Sequence, residues 1–136
     1  MSVMSVSNIY KSIPFVLMLL SACSDNETQY KKNIIGSWQQ EDTLKTGAVL
    51  QRTFTFSPDG TFIVSAKRTE GQKTTSYTSE GTWTIESETL HYTILKSTHP
   101  KVPEGYKHIN KIILLTEKKV VSANPAGQVT TAYRDK

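Results

Sequence analysis

Leu50-Gln51-Arg52-Thr53-Phe54-Thr55-Phe56-Ser57-Pro58-Asp59-Gly60-Thr61-Phe62-Ile63-Val64-Ser65-Ala66 is the stretch that decides how this chain folds. Leu50, Phe54 and Phe56 fall on alternate positions before the break, and Phe62, Val64 and Ala66 do so after it. A period of two puts each set on one face of an extended strand. Pro58 presets φ for a turn and Gly60 tolerates φ above zero, so residues 57–60 close a hairpin.

The same grammar continues on both sides. Gly81, Trp83 and Ile85 alternate with Thr82 and Thr84, and residues 86–89 turn the chain. Leu90, Tyr92 and Ile94 then alternate with His91 and Thr93. Upstream, residues 74–79 around Tyr77 suit a strand paired with residues 67–69 across Glu70-Gly71-Gln72-Lys73. Residues 96–106, with Pro100, Pro103 and Gly105, form the longest loop. Strands over 109–115, 120–123 and 128–134 follow, separated by turns at 116–119 and 124–127. With an opening strand at 35–40, the chain holds eight or nine short strands, and no stretch after Cys23 has helical periodicity. The expected fold is all-β: a small antiparallel up-and-down β-barrel, whose closure removes exposed edges. An open two-sheet sandwich is the alternative.

The amino terminus follows a different rule. Lys11 precedes the apolar run 13–20, which is far shorter than the roughly 20 residues a membrane-spanning helix needs and suits a signal peptide. Leu20-Ser21-Ala22-Cys23 comes next and resembles the lipobox of bacterial lipoproteins. The resemblance implies cleavage between Ala22 and Cys23, with acyl chains on Cys23 holding the protein to a membrane. One chain binds marginally, and two or three bind durably. The expected organisation is a cleaved signal peptide over 1–22, the lipidated cysteine and a polar flexible tether over 23–33, and the barrel over 34–136. Ser24 after the cysteine resembles the outer-membrane sorting pattern, facing the periplasm, if the cell has two membranes.

Gly36-Ser37-Trp38 matches the Gly-x-Trp that opens lipocalin barrels. Lipocalins also carry an arginine on the last strand, and Arg134 is the candidate here. An arginine over a tryptophan face is a cation–π contact that would tie the first strand to the last. More broadly the chain is similar to small bacterial lipocalin-like domains, with Gly36–Trp38, Phe54–Phe62 and Gly81–Trp83 as the matching segments. The resemblance implies a barrel able to take a small hydrophobic ligand, with Trp38, Phe54, Phe56, Tyr92 and Tyr133 as candidate cavity residues. Phe54, Phe62 and Trp83 also read as core. The chain ends without the carboxy-terminal helix and lacks the disulfide of larger lipocalins, so the barrel could instead be smaller and partly filled.

Chemistry-bearing patterns are sparse. The chain has 136 residues with 16 basic and 12 acidic side chains, a mild excess that does not point to nucleic acid. One cysteine excludes an internal disulfide or a thiolate metal site. His91, His99 and His108 match no ligand motif and read as unrelated surface residues. No Gly-x-Ser-x-Gly elbow or glycine-rich phosphate loop is present, and Glu86 and Glu88 lie on a turn as solubilising charges. No catalytic residue, metal or cofactor is expected. Lys96, Lys101, Lys107 and Lys111, with Tyr106, bracket the long loop. They read as a solvated surface, or as a contact for anionic lipid, lipopolysaccharide or a partner protein. Two functions follow: a membrane-anchored module binding a small apolar ligand, or a non-enzymatic interaction module with a filled barrel (an envelope assembly or stress factor, or an inhibitor).

Overall fold

The computed structural model describes residues 26–135. Eight strands follow one another in sequence: β1 Gly36–Thr43, β2 Val49–Phe56, β3 Thr61–Glu70, β4 Lys73–Glu86, β5 Thr89–Ser97, β6 Lys107–Leu115, β7 Lys119–Ala123 and β8 Val129–Arg134. Each pairs antiparallel with its neighbours, and β8 returns to β1, so the sheet is a closed barrel. Closure settles the choice against the open sandwich.

The hairpin of β2 and β3 forms as its sequence dictates. Gly60 donates to the Ser57 carbonyl at 3.1 Å with φ of 87°, and Ser57 donates to the Thr61 carbonyl at 2.9 Å. Asp59 Oδ1 accepts from the Thr61 amide at 3.0 Å and from its hydroxyl at 2.6 Å. Those two bonds, the hydroxyl's first, hold the Asp59 carboxyl below its ordinary pKa.

Strand number resolves at eight because 74–79 and 81–85 are one strand. β4 runs through Gly81, where the pairing with β5 shifts by a bulge between Glu80 and Gly81. A Cβ on Gly81 would enter the Thr93 carbonyl oxygen, so only glycine lets β5 lie this close. A bulge bends a strand and raises its twist, which helps a long strand wrap the barrel.

Residues 26–33 depart from the expected flexible tether: they form a helix. Ile34 donates to the Tyr30 carbonyl at 3.0 Å, Tyr30 packs against the core, and Ile34 is only 1% exposed. Tyr30 and Ile34 are one helical turn apart, so a single apolar contact row suffices to dock the segment. The helix closes one end of the barrel.

The core lies at that closed end. Trp38, Phe56, Phe62, Ile85 and Ile112 are buried there, with Phe56 edge-on to Trp83 at 5.7 Å and stacked near Phe62 at 6.2 Å. Arg134 sits over the Trp38 ring at 4.2 Å. Its guanidinium also donates to the carbonyls of Ile35 (2.9 Å), Asn33 (2.6 Å) and Glu117 (2.6 Å). A cation on the final carbonyls of a helix satisfies orphan acceptors and complements the dipole. Gly36, at φ of 122°, leaves room for this: a Cβ would stand 2.6 Å from an Arg134 nitrogen.

Candidate functional site

Towards the other end the lumen is not filled. One chamber of about 300 Å³ runs from Ile34 and Trp38 along Phe54, Leu90 and Ile112 to Asn124 and Gln128 at the β7–β8 turn. A second, of about 370 Å³, lies under the β5–β6 loop, against Leu50, Val64, Tyr77, Ile94 and Val102. Arg52, Phe54, Tyr92 and His108 line both and form a waist between them. A third depression, of about 650 Å³, is lined largely by exposed side chains of the strands, among them Gln39, Glu41, Gln51, Lys67 and Tyr133.

Register explains who meets at the waist. Tyr92 on β5 lies opposite His108 on β6, and their rings are 4.9 Å apart. Phe62 approaches Tyr92 edge-on at 5.1 Å. Burial pushes the Tyr92 hydroxyl up to about 12, although the neighbouring Asn110 side chain and the Arg52 charge pull the other way. Burial, and then the Arg52 charge, lower His108 below its ordinary pKa. At neutral pH the waist therefore holds a neutral tyrosine, a neutral imidazole and one permanent cation.

The long loop turns His99 and Val102 towards the second chamber and leaves Pro100, Lys101, Pro103 and Glu104 exposed. Val102 packs against the core, and the His99 ring lies 4.3 Å from that of Tyr77. Ile94 donates to the Tyr106 carbonyl (2.8 Å) and Gly105 to the Ile94 carbonyl (2.7 Å), pinning the far end of the loop to β5. Lys101 donates its amide to His99 Nδ1 at 3.0 Å, which fixes that imidazole's tautomer.

Several sequence expectations meet this geometry directly. Of the candidate cavity residues, Trp38, Phe54, Phe56 and Tyr92 line the lumen. Tyr133 does not: it is 60% exposed on the outer face. Side chains alternate along a strand, so placing Arg134 over Trp38 forces Tyr133 outward. His99 and His108 are corrected from surface to lumen positions, while His91 does face outward, 3.8 Å from Glu86. β6 starts two residues earlier than expected, and its inward set is His108, Asn110 and Ile112, leaving Ile109 and Ile113 exposed. Arg52 shares the even spacing of Leu50, Phe54 and Phe56 and joins them on the lumen face, a polar member that hydrophobic alternation does not single out. Gly36, Trp38 and Arg134 come together as the resemblance implied, and they hold structure rather than a ligand. Ala22 and Cys23 lie outside the described residues. Among the described residues no group of three His, Cys, Asp or Glu side chains is placed to hold a metal ion.

The fold and lumen define a lipocalin-like eight-stranded barrel. The structure is similar to that of a lipocalin-like protein from Bacteroides uniformis, with a TM-score of 0.54 and 16% identity, covering 76% of this chain and 99% of that one. A de novo designed fluorescence-activating β-barrel is a more distant geometric likeness, at a TM-score of 0.43 and 12% identity, over 78% of this chain and 96% of that one. No protein-family model matches the sequence, and no curated protein matches it significantly. At 16% identity the first likeness speaks for the fold alone.

Proposed function

We propose that this chain is a lipid-anchored envelope protein whose barrel binds a small, largely apolar molecule, without catalysis. The unfilled lumen is the observation that carries the reading. Chambers of about 300 and 370 Å³ walled by aromatic and aliphatic side chains, with a few polar groups converging at the waist, have the size and character of small-molecule sites. A barrel whose side chains met across the axis would have no such space.

The lipobox-like Leu20–Cys23 supports the anchor. Cys23 lies three positions before residue 26, where the described residues begin in the helix that docks on the closed end. In this reading the closed end sits near the membrane and the mouth opens away from it, towards the periplasm in a two-membrane cell.

The test is titration with a neutral apolar fluorophore such as N-phenyl-1-naphthylamine. Saturable binding at one site, lost in Thr130→Trp with its folding intact, is the expected result, because Thr130 lines the first chamber. Equal binding by wild type and variant, or none by either, overturns it. The interaction-module reading keeps one specific observation: Leu95, Ile109, Ile113 and Leu114 are exposed on the outer face of β5 and β6. Their replacement by serine would abolish function in that reading and leave fluorophore binding unchanged.

A further inference from the structure

Three arginines occupy inward positions of the strands, and their circumstances differ. Arg134 is spent on Trp38 and three carbonyls. Arg68, near the rim, is 3.4 Å from Glu70. Arg52 sits deeper, at the waist, and among the described residues its guanidinium makes no hydrogen bond or ion pair. Its nitrogens are not sealed away, because no fully buried side-chain polar atom lacks a partner. Arg52 shares the inward alternation of Leu50, Phe54 and Phe56 and lines both chambers, so its guanidinium has the lumen before it rather than a protein partner.

The surroundings sharpen the point. No aspartate or glutamate lines either chamber. The carboxylates at inward strand positions nearest the open end are already engaged: Asp42 accepts from Gln40 Nε2 at 2.9 Å, and Glu70 pairs with Arg68. Around Arg52 stand neutral donors and acceptors, namely Tyr92, His108, Asn110 and Gln40, then Phe54 and the apolar walls. Beside apolar walls and with no counter-charge in either chamber, this guanidinium is a charge that a ligand's oxyanion can answer. A guanidinium offers five donors in a fork suited to carboxylate or phosphate oxygens.

We infer that the ligand of this barrel is an anionic amphiphile, whose oxyanion head is received by Arg52 at the waist while its apolar body lies along Trp38, Phe54, Leu90 and Ile112. This rests on the lumen being a ligand site, and it adds the head-group chemistry. Tyr92 can donate its hydroxyl proton to the same head. A neutral amphiphile leaves Arg52 unanswered in the closed complex, and a cationic one meets like charge, so the site discriminates by repulsion as well as attraction.

The test is displacement of N-phenyl-1-naphthylamine by ligands that share one chain and differ in head: decanoate, decyl phosphate, decanol and decyltrimethylammonium. Wild type should bind the two anions roughly 10- to 100-fold more tightly than decanol, as expected for charge-assisted hydrogen bonds. The ammonium should bind most weakly. Whichever of decanoate and decyl phosphate wins assigns the oxyanion. Arg52→Gln should erase the preference for anions over decanol, with its folding checked independently by circular dichroism; a preference retained in the folded variant overturns the assignment. Arg52→Lys should restore part of the preference. Equal affinity of wild type for decanoate and decanol overturns the head-group assignment and leaves the lumen reading standing. No displacement by any of the four, with no fluorophore binding, overturns both.

Discussion

At the scale of single residues, Arg134 and Arg52 show how the same side chain serves two ends of one barrel. Arg134 is a structural clasp: it spans β1, the helix end and the β6–β7 turn. Arg134→Ala should lose about 2–4 kcal/mol in denaturant unfolding, since it removes charge-assisted bonds to three carbonyls as well as the ring contact. Trp38→Ala should lose about 3–5 kcal/mol. Together they should cost less than the sum, by at least about 0.5 kcal/mol, because the residues touch. Strict additivity would show that the contact carries no coupling. The clasp is legible in the sequence itself, from Gly36, Trp38 and Arg134. What the sequence reading lost was its own corollary, that Tyr133 must then point outward.

His108 and Tyr92 give the waist a pH signature. His108 is held neutral below its ordinary pKa by burial and by Arg52. Its imidazole NMR titration should therefore have a low midpoint, and Arg52→Gln should raise it. Because the folded pKa is depressed, the contribution of neutral His108 to stability is fully present above the unfolded value of about 6.5 and is lost as pH falls through the folded pKa. His108→Asn should flatten that part of the stability profile. Tyr92, raised to about 12, should resist ionisation in an ultraviolet titration well past the ordinary tyrosine range. A normal midpoint for either residue would contradict the burial assigned to the waist.

At the scale of elements, the strands were readable because alternation and turn chemistry agree. Pro58-Asp59-Gly60 and the runs beside it define β2 and β3 almost to the residue. Three features resisted for physical reasons. The helix over 26–33 has one apolar pair, Tyr30 and Ile34, too few to register as a period, and its docking depends on a barrel end that is invisible locally. β4 was divided at Gly81, since glycine punctuates strands more often than it admits a bulge. β6 misled by carrying its apolar Ile109 and Ile113 on the outer face, so hydrophobicity pointed opposite to the lumen. Ile34→Ala tests the helix docking: it should cost about 2–5 kcal/mol and free residues 26–33 to exchange amide hydrogens rapidly. An unchanged midpoint would mean that the helix does not seal the barrel.

The barrel as a unit has a closed end, a waist and a mouth along one axis. The closed end spends its hydrophobic residues and its arginine on stability, and the other end keeps space. Binding sites are expected to break the rule of full packing, and here that break coincides with Arg52, the cation that lines both chambers and forms no hydrogen bond or ion pair among the described residues. The anchor is separable: Cys23→Ser should move the protein from membranes to the soluble fraction and end fatty-acid labelling, with decanoate binding unaltered. Unchanged membrane fractionation would defeat the anchor and leave the lumen intact.

The most direct measurement of the central claim is an NMR amide and side-chain titration of the protein with decanoate. One saturable site is expected, with shifts concentrated on inward residues: Trp38, Arg52, Phe54, Tyr92, His108 and Ile112. Shifts confined to the outward Ile109, Ile113 and Val129, or no saturable change at all, would contradict it.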